Sequence, residues 1–268
     1  MLRFAGAGIT DVGLVREHNE DAGFVGPYLV LVADGVGGAA AGEVASATVA
    51  HAVASRALAH PDDPPLDLLV QAVDVAREEV VAGAQADATR TGMATTLTAL
   101  ATDGTVVALA HIGDSRAYAL TDQGLVRLTR DHTWVQQMVE EGRISAEQAA
   151  GHAWRNVVLR SLPGEGESGV ADAVMLELAP GTRLLLCSDG LTDLVADQQI
   201  ADLLTEPAAE AAASALVQAA LAAGGHDNVT CIVVDLIDDD HRLCGDGDLL
   251  GSLRDFRNIV DPASPHVR

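Results

Sequence analysis

The sequence predicts an α+β fold in which antiparallel sheets carry helices on their outer faces. Apolar strand-like runs and helical segments occur in the order strand, helix pair, many strands, helix pair and a last strand. Regular alternation of strand and helix, which is typical of a doubly wound parallel sheet, is missing. With 268 residues, 49% of them hydrophobic, the chain can bury a full core as one large domain or two small ones.

Each strand is predicted from an apolar run, several of them separated by Gly or Asp turn signals. These runs are residues 4–10, 28–33, 95–101, 105–112, 116–120, 124–128, 172–178, 183–188 and 229–237. Helices are predicted from composition and from apolar residues at helical spacing. They cover residues 41–58, 65–84, 197–205 and 207–223. In the first helix, Val44, Ala47, Val49 and Val53 lie near one stripe, which predicts a single buried face.

Two segments depart from this pattern. Residues 130–170 contain helical pieces and the loop PGEGESG, so we expect an inserted flap there. We place the end of the main domain at residue 237 and expect residues 238–268 to form an acidic linker and a short amphipathic tail. The tail is predicted to be one helix that docks loosely on its own domain or frays, because its apolar residues are spaced four, three and four apart. These residues are Leu249, Leu253, Phe256 and Val260.

Composition excludes several classes of protein. The net charge is −23 and only seven residues are aromatic, which argues against nucleic-acid binding. All sixteen cationic side chains are Arg, so a P-loop lysine, a kinase strand lysine and a Schiff base are excluded. The three cysteines lack metal-ligand spacing, and none has Arg six residues later, which excludes a Cys-x5-Arg phosphate loop.

Cysteine usage and hydropathy also predict a location. Three unpatterned cysteines fit a reducing cytosol, and the N-terminus has no apolar segment of a signal peptide. The longest Ala-rich stretch is too short and too weakly hydrophobic to span a membrane. We therefore expect a cytoplasmic monomer that binds neither membranes nor nucleic acid.

A dinucleotide-like pattern is a chance match. Gly164, Gly166 and Gly169 form GxGxxG, but Glu165 and Glu167 would repel a pyrophosphate and a strand, not a helix, is predicted next. The later GDGD lacks the further acids of a calcium loop.

Acidic residues stand at the ends of apolar strands at several places. Asp34 ends the run YLVLVAD and is followed by glycine, and a carboxylate at the end of a core strand is costly to desolvate unless something positive meets it. Further acids occupy matching positions: Asp114 in HIGDSRA, Asp189 and Asp193 in LLLCSDGLTDL, and Asp227 in GGHDNVT. Near the start, REHNED supplies Arg16, Glu20 and Asp21.

Taken singly, each acid reads as a turn residue. Together they would crowd one rim of a sandwich, where their charge must be neutralised. Ligand sets made only of oxygen favour Mg²⁺ or Mn²⁺ over zinc. The sequence therefore predicts a divalent metal site.

The ordered motifs R-x3-E-D, V-A-D-G-x-G-G, G-D-S-R, S-D-G-L-T-D and D-N-V-T resemble those of the metal-dependent Ser/Thr protein phosphatases (PPM, or type 2C) of bacteria. The resemblance covers about residues 3–237 and implies a four-layer αββα sandwich of two antiparallel sheets flanked by helix pairs. It implies a hydrolase that uses two core Mn²⁺ or Mg²⁺ ions and a third outer ion. A metal-bridged hydroxide would attack the phosphorus of phosphoserine or phosphothreonine in line.

The resemblance also implies a role for each motif residue. Asp34 would bridge two ions, and the carbonyl of Gly35 would bind one of them. Asp189 and Asp227 would hold the first ion, and Asp21 would support the second through water, with Glu20 outside it. Asp114 and Asp193 match the position of the third ion, and Arg16 matches the residue that grips the substrate phosphate with its two-pronged guanidinium.

Two departures from the family pattern bear on activity. Val36 stands where eukaryotic relatives have a histidine proposed as general acid, so we expect water to protonate the leaving group. Ala94 stands where glycine is common, which is a small change. The histidines His132, His152 and His226 are predicted to be structural or exposed.

Two functions from different classes fit these residues. The first is a phosphatase that acts on phosphoserine and phosphothreonine proteins, opposing bacterial Ser/Thr kinases, and one variant of it acts in an anti-sigma-antagonist pathway. The second is a catalytically weak module that binds phosphoproteins. The intact acids favour the enzyme, because an inactive relative is free to lose its ligands.

Overall fold

The computed structural model describes residues 1–36, 41–164, 166–239 and 247–260 and contains two antiparallel sheets. The first sheet has the order β1-β10-β9-β6-β7 and the second has the order β11-β2-β3-β4-β5-β8. The strands of the first sheet are β1 (Leu2–Asp11), β6 (Arg116–Thr121), β7 (Gly124–Arg127), β9 (Arg183–Cys187) and β10 (Val229–Asp238). Those of the second are β2 (Asp21–Val25), β3 (Leu29–Asp34), β4 (Leu97–Thr102), β5 (Val107–Ile112), β8 (Asp172–Leu176) and β11 (Asp248–Gly251).

The helices lie outside the two sheets or in the connection between β7 and β8. They are α1 (Gly42–Ala59), α2 (Pro65–Ala86), α3 (Trp134–Glu140), α4 (Ala146–Ala150), α5 (Asp189–Thr192), α6 (Asp197–Leu203) and α7 (Ala209–Ala222). Short 3-10 turns cover Ala88–Arg90, Gly166–Gly169, Ser252–Arg254 and Phe256–Asn258. None of the helices described is long and apolar enough to cross a membrane.

Among the residues that the structure describes, three apolar cores separate the layers. One lies between the pair α1 and α2 and the second sheet, and another lies between the two sheets. The third lies between the first sheet and the helices α6 and α7. The predicted four-layer αββα sandwich is therefore confirmed. Because each sheet is covered on both faces, central strands such as β3, β4 and β5 are buried at nearly every position and mostly apolar, instead of alternating.

Helix α1 differs from its prediction. Eleven of its residues are buried, including Ser46 and Thr48, which lie outside the predicted stripe. The reason is that α1 packs on α2, on strands β2 and β3, and on the 3-10 turns of the C-terminal segment. A helix that is covered on several sides needs small or apolar residues all round, which explains its Ala, Val and Ser content.

The flap predicted over 130–170 contains α3 and α4. Thr133 caps α3 by accepting a hydrogen bond from the Gln136 amide. Ser145 and Gln148 form a reciprocal capping box at the start of α4. The GxGxxG glycines lie in the flap's last turn, just before β8, and Glu165 lies outside the described residues.

The helix predicted for the tail is wrong. Residues 248–251 form β11, which pairs antiparallel with β2, and 3-10 turns follow. Helical spacing selected Leu249 and Phe256, but Phe256 is 69% exposed, whereas Leu250 is buried between the sheets. Since β11 belongs to the second sheet, the domain does not end at residue 237. The central part of the predicted acidic linker, residues 240–246, lies outside the described residues.

Candidate metal centre and active site

The ends of several strands meet around one cavity of about 300 Å³. Its lining includes six of the eight residues that the sequence assigns to the site: Arg16, Asp34, Gly35, Asp114, Asp189 and Asp227. Glu20 also lines it, as do Val36, Thr96, Asn156, Val158 and Asn228. Asp21 and Asp193 lie close by, as described below.

Asp21 and Asp34 are directly opposite each other on β2 and β3. Asp21 is fully buried, and its Oδ2 accepts hydrogen bonds from Ser188 at 2.8 Å and from Thr230 at 2.7 Å. Its Oδ1 is buried without a hydrogen-bond partner. A buried carboxylate oxygen with no donor is the kind of group that a cation or its water can satisfy.

Hydrogen bonds hold the backbone of Asp34 and Gly35 at the end of β3. The Asp34 amide donates to Thr96 Oγ1 at 3.0 Å, and Thr95 Oγ1 donates to the Asp34 carbonyl at 2.8 Å. The Gly35 amide donates to the carbonyl of Glu20 at 3.2 Å. A Cβ at Gly35 would lie only 2.6 Å from the carbonyl carbon of Gly42, so this position requires glycine.

Asp189 begins helix α5 directly after β9, and Asp193 follows one turn later, its amide bonded to the Asp189 carbonyl at 2.8 Å. Gly190 lies against the strand that begins after Asp227, since a Cβ there would be 2.0 Å from the Asn228 carbonyl oxygen. This close approach brings Asp189 and Asp227 to the same cavity.

Asp193 lines a second cavity of about 400 Å³ beneath the flap. The two cavities share Asp114, Asp189 and Asn156. The flap residue Asn156 donates to Asp193 Oδ2 at 2.9 Å, and Arg155 lies 3.5 Å from the same oxygen. Asp193 thus lies at the border between the acid cluster and the flap.

Arg16 lies at the mouth of the first cavity. Its Nη2 donates to Asp227 Oδ2 at 2.7 Å, and its side chain is 44% exposed. The hydrogen bond with Asp227 is the main cause that raises the pKa of Arg16, and the charges of Glu20 and Asp34 add to it. The guanidinium is therefore close to the acids and still open to solvent.

Four buried acids of the cluster, Asp21, Asp34, Asp114 and Asp189, have raised pKa values. Burial raises the pKa of Asp21 to about 6 and, together with the charges of Asp131 and Asp193, that of Asp114 to about 7. Burial also raises the pKa of Asp34 and Asp189 well above their usual values, and the charges of neighbouring acids in the cluster raise them further. Such a cluster needs a cation to be fully charged near neutral pH.

The residues present fit divalent ions. The donors are carboxylate and carbonyl oxygens, as hard cations prefer. In the described ranges no group of three or more Asp, Glu, His or Cys side chains is placed to hold a metal ion as the side chains stand, and the carboxylates line the cavity walls. The orphaned Oδ1 of Asp21 and the mutual repulsion of the acids are the observations that favour cations at this place.

Sequence reasoning missed the polar residues that support the acids. The Asn228 side chain accepts a hydrogen bond from the Glu20 amide and donates to the carbonyls of Val12 and His18. Ser188 and Thr230 hold Asp21. All three lie within the motifs S-D-G-L-T-D and D-N-V-T, so the motifs contained the signal, but only their acids received a role.

The histidines His132 and His152 contact other side chains of the fold, and His226 is at the surface. His132 is buried, and its ring bonds to the Gly113 amide, Asp172 and Arg160. His152 packs against Trp134 in the flap, with ring centroids 5.0 Å apart. His226 is exposed.

Comparisons with known proteins agree with this geometry. The sequence profile described as Protein phosphatase 2C matches residues 16–223. The serine/threonine protein phosphatase PstP of Mycobacterium tuberculosis is 43% identical over 246 residues, which are 90% of this chain and 46% of PstP. The chain therefore spans about half the length of that relative. The serine/threonine phosphatase stp of Listeria welshimeri is 35% identical over 84% of this chain and 93% of its own length.

Solved structures share the fold. The crystal structure of the catalytic domain of PstP in complex with two manganese ions superimposes with a TM-score of 0.82 at 41% identity. The superposition covers 89% of this chain and all of that one.

Proposed function

Because the chain belongs to the protein phosphatase 2C family, we propose that it is a metal-dependent hydrolase that removes phosphate from phosphoserine and phosphothreonine in proteins. The observation that carries the proposal is the single cavity that gathers Asp34, Asp114, Asp189 and Asp227 with an exposed Arg16 at its mouth. The acids provide sites for cations, and the guanidinium provides a site for a phosphate group.

We assign the cations as the resemblance to the metal-dependent Ser/Thr protein phosphatases implies, and the oxygen donors suit such ions. Asp34, the Gly35 carbonyl, Asp189 and Asp227 would hold the core ions, with Asp21 behind them. Asp114 and Asp193 would hold a third. Mn²⁺ is supported by the two manganese ions of the PstP catalytic domain, and Mg²⁺ by the oxygen-only donors. Divalent ions bound there lower the pKa of a water molecule and offset the charge of phosphoryl oxygens.

The chain's own residues bind and orient the substrate. Arg16 exchanges its bond with Asp227 for two-pronged hydrogen bonds to the phosphate. The buried hydroxyls of Ser188 and Thr230 keep Asp21 oriented. Val36 lines the cavity and cannot transfer a proton, so solvent water protonates the departing alkoxide.

The substrates we propose are phosphorylated bacterial Ser/Thr kinases and their targets, because the relatives at 43% and 35% identity are bacterial serine/threonine phosphatases. The monomeric state and the cytoplasmic location expected from the sequence stay predictions.

Hydrolysis of p-nitrophenyl phosphate and of a phosphothreonine peptide tests the function. Phosphate release should require added Mn²⁺ or Mg²⁺ and stop in EDTA. Asp34→Asn, which keeps the size of the side chain, should be inactive with either metal. Full turnover in chelator, with the metal content verified as nil, would exclude the metal mechanism. A binding module would instead retain the phosphopeptide in saturating Mn²⁺ without releasing phosphate.

A further inference from the structure

The C-terminal segment reaches the metal centre from behind. Its strand β11 pairs with β2, the strand that begins with Asp21, and Gly251 stands opposite Ala22. Gly251 has a φ of +58°, and a Cβ there would lie 2.0 Å from the Asp21 carbonyl oxygen. The backbone of the segment therefore lies directly against the residue that carries the orphaned carboxylate oxygen.

Two buried hydroxyls connect this segment to the site. Ser252 Oγ lies 3.0 Å from the Asp21 carbonyl oxygen, to which it donates, and 2.9 Å from Ser46 Oγ of helix α1. Ser46 donates in turn to the carbonyl of Glu20 at 2.5 Å. The two hydroxyls thus donate to two consecutive backbone carbonyls, those of Glu20 and Asp21, at the start of β2.

The Glu20 carbonyl also connects β2 to the end of β3. The Glu20 carbonyl also accepts the amide of Gly35, whose own carbonyl we assign to a core ion. Ser252 and Ser46 are both buried, so both hydroxyls are shielded from bulk solvent. Loss of the Ser252 bond would leave the carbonyl of the buried Asp21 short of a donor, and loss of the Ser46 bond would take one donor from the Glu20 carbonyl, which keeps the Gly35 amide. Either loss would loosen the backbone beside Asp21 and Gly35.

We propose that Ser252, acting with Ser46, is a positioning residue for the metal centre. It fixes the Glu20–Asp21 backbone so that the Asp21 carboxylate and the Gly35 carbonyl face the ions. Ser252 lies outside residues 16–223, which match the family profile, so the proposal concerns a segment that the profile does not cover. It rests on the metal site assigned under the proposed function.

Mn²⁺ titration calorimetry on the full chain at 25 °C tests the proposal. Ser252→Ala should weaken Mn²⁺ binding about two- to tenfold, the range expected for one hydrogen bond. Ser252→Cys should weaken Mn²⁺ binding as Ser252→Ala does, because the thiol fills the space of the hydroxyl but is a weak donor. This second variant keeps the test decisive if the alanine variant folds poorly. In the metal-free protein, hydrogen exchange at the Gly35 amide should accelerate in both variants.

Thr48→Val is the matched control. Thr48 Oγ1 accepts the Val260 amide at 3.0 Å, so this variant removes a bond between the C-terminal segment and α1 without touching Asp21. It should lower the melting temperature and leave Mn²⁺ affinity unchanged. Equal Mn²⁺ affinity in parent and Ser252 variants would overturn the positioning role, as would an equal loss in Thr48→Val. Absence of Mn²⁺ binding in the parent would instead overturn the proposed function.

Discussion

Replacing Asp21 by asparagine should stabilise the protein in chelator at alkaline pH while it weakens Mn²⁺ binding. The carboxylate is fully buried and faces Asp34 across the strand pair, so its charge is unfavourable without a cation. In the variant, the asparagine oxygen can still accept from Ser188 and Thr230. Its amide takes the place of the oxygen that has no donor and can donate to Asp34.

The magnitude follows from the pKa of Asp21, which burial raises from its usual 3.8 to about 6. A raised pKa contributes stability that is present below pH of about 4 and lost as the pH rises through about 6. The full loss is about 3 kcal/mol, and roughly half of it falls between pH 5 and pH 8. Asparagine does not titrate, so its advantage over aspartate should grow by about 1.5 kcal/mol across that interval. Removing the Asp21 charge also relieves Asp34, which acts in the same direction.

Urea unfolding in EDTA at pH 5, 6, 7 and 8 measures this difference, and Mn²⁺ added at pH 8 should reverse the order of stability. Asp103→Asn is the control. Burial alone would raise the pKa of Asp103, but hydrogen bonds from Thr105 and Val106 outweigh burial and lower it. This variant should therefore lose stability at pH 8. The reasoning is refuted if the advantage of Asp21→Asn in chelator stays constant or shrinks as the pH rises.

Substitutions at four positions test the site. Asp34→Ala should abolish turnover, whereas Asp193→Ala should lower turnover and leave two ions bound, because Asp193 borders the second cavity; calorimetric metal counting separates them. Arg16→Ala should raise KM and lower kcat/KM about ten- to a hundredfold with metal binding intact, and Arg16→Lys should recover little. Gly190→Ala should weaken Mn²⁺ binding, because its Cβ would meet the Asn228 carbonyl.

Each of these has a contrary outcome. Loss of all ions in Asp193→Ala would remove the distinction between core and outer ions. Unchanged KM and kcat in Arg16→Ala on a phosphothreonine peptide would mean that Arg16 does not hold the phosphate. Gly151→Ala is the control for Gly190, since nothing lies within 4 Å of a Cβ at Gly151, and equal metal binding in both variants would contradict the packing argument.

Asp34, Asp114 and Asp189 were predictable because each comes at or just after the end of an apolar run that is typical of a covered strand. The strands β3 and β9 end at Asp34 and just before Asp189, as the hydropathy indicated. Strand β2 was not predicted, because DAGFV is short and begins with an acid. It forms a strand through its pairing with the neighbouring β3 and with β11, which is distant in the sequence.

The tail was misread for a related reason. Its apolar residues satisfy a helical period, but pairing with β2 fixes an extended backbone over β11. Gly251, at positive φ, ends that strand where it meets Asp21. Local spacing contains no information about which edge of a distant sheet is open.

Strand β11 has a consequence for handling the protein. It covers the outer side of β2, whose five residues are all buried. Without β11, this apolar strand would become an unprotected sheet edge with free backbone N–H and C=O groups, a template for pairing with other chains. A chain cut after residue 239 should therefore self-associate on concentration, which light scattering would reveal, whereas the chain that keeps residues 248–260 presents only the short β11 at that edge.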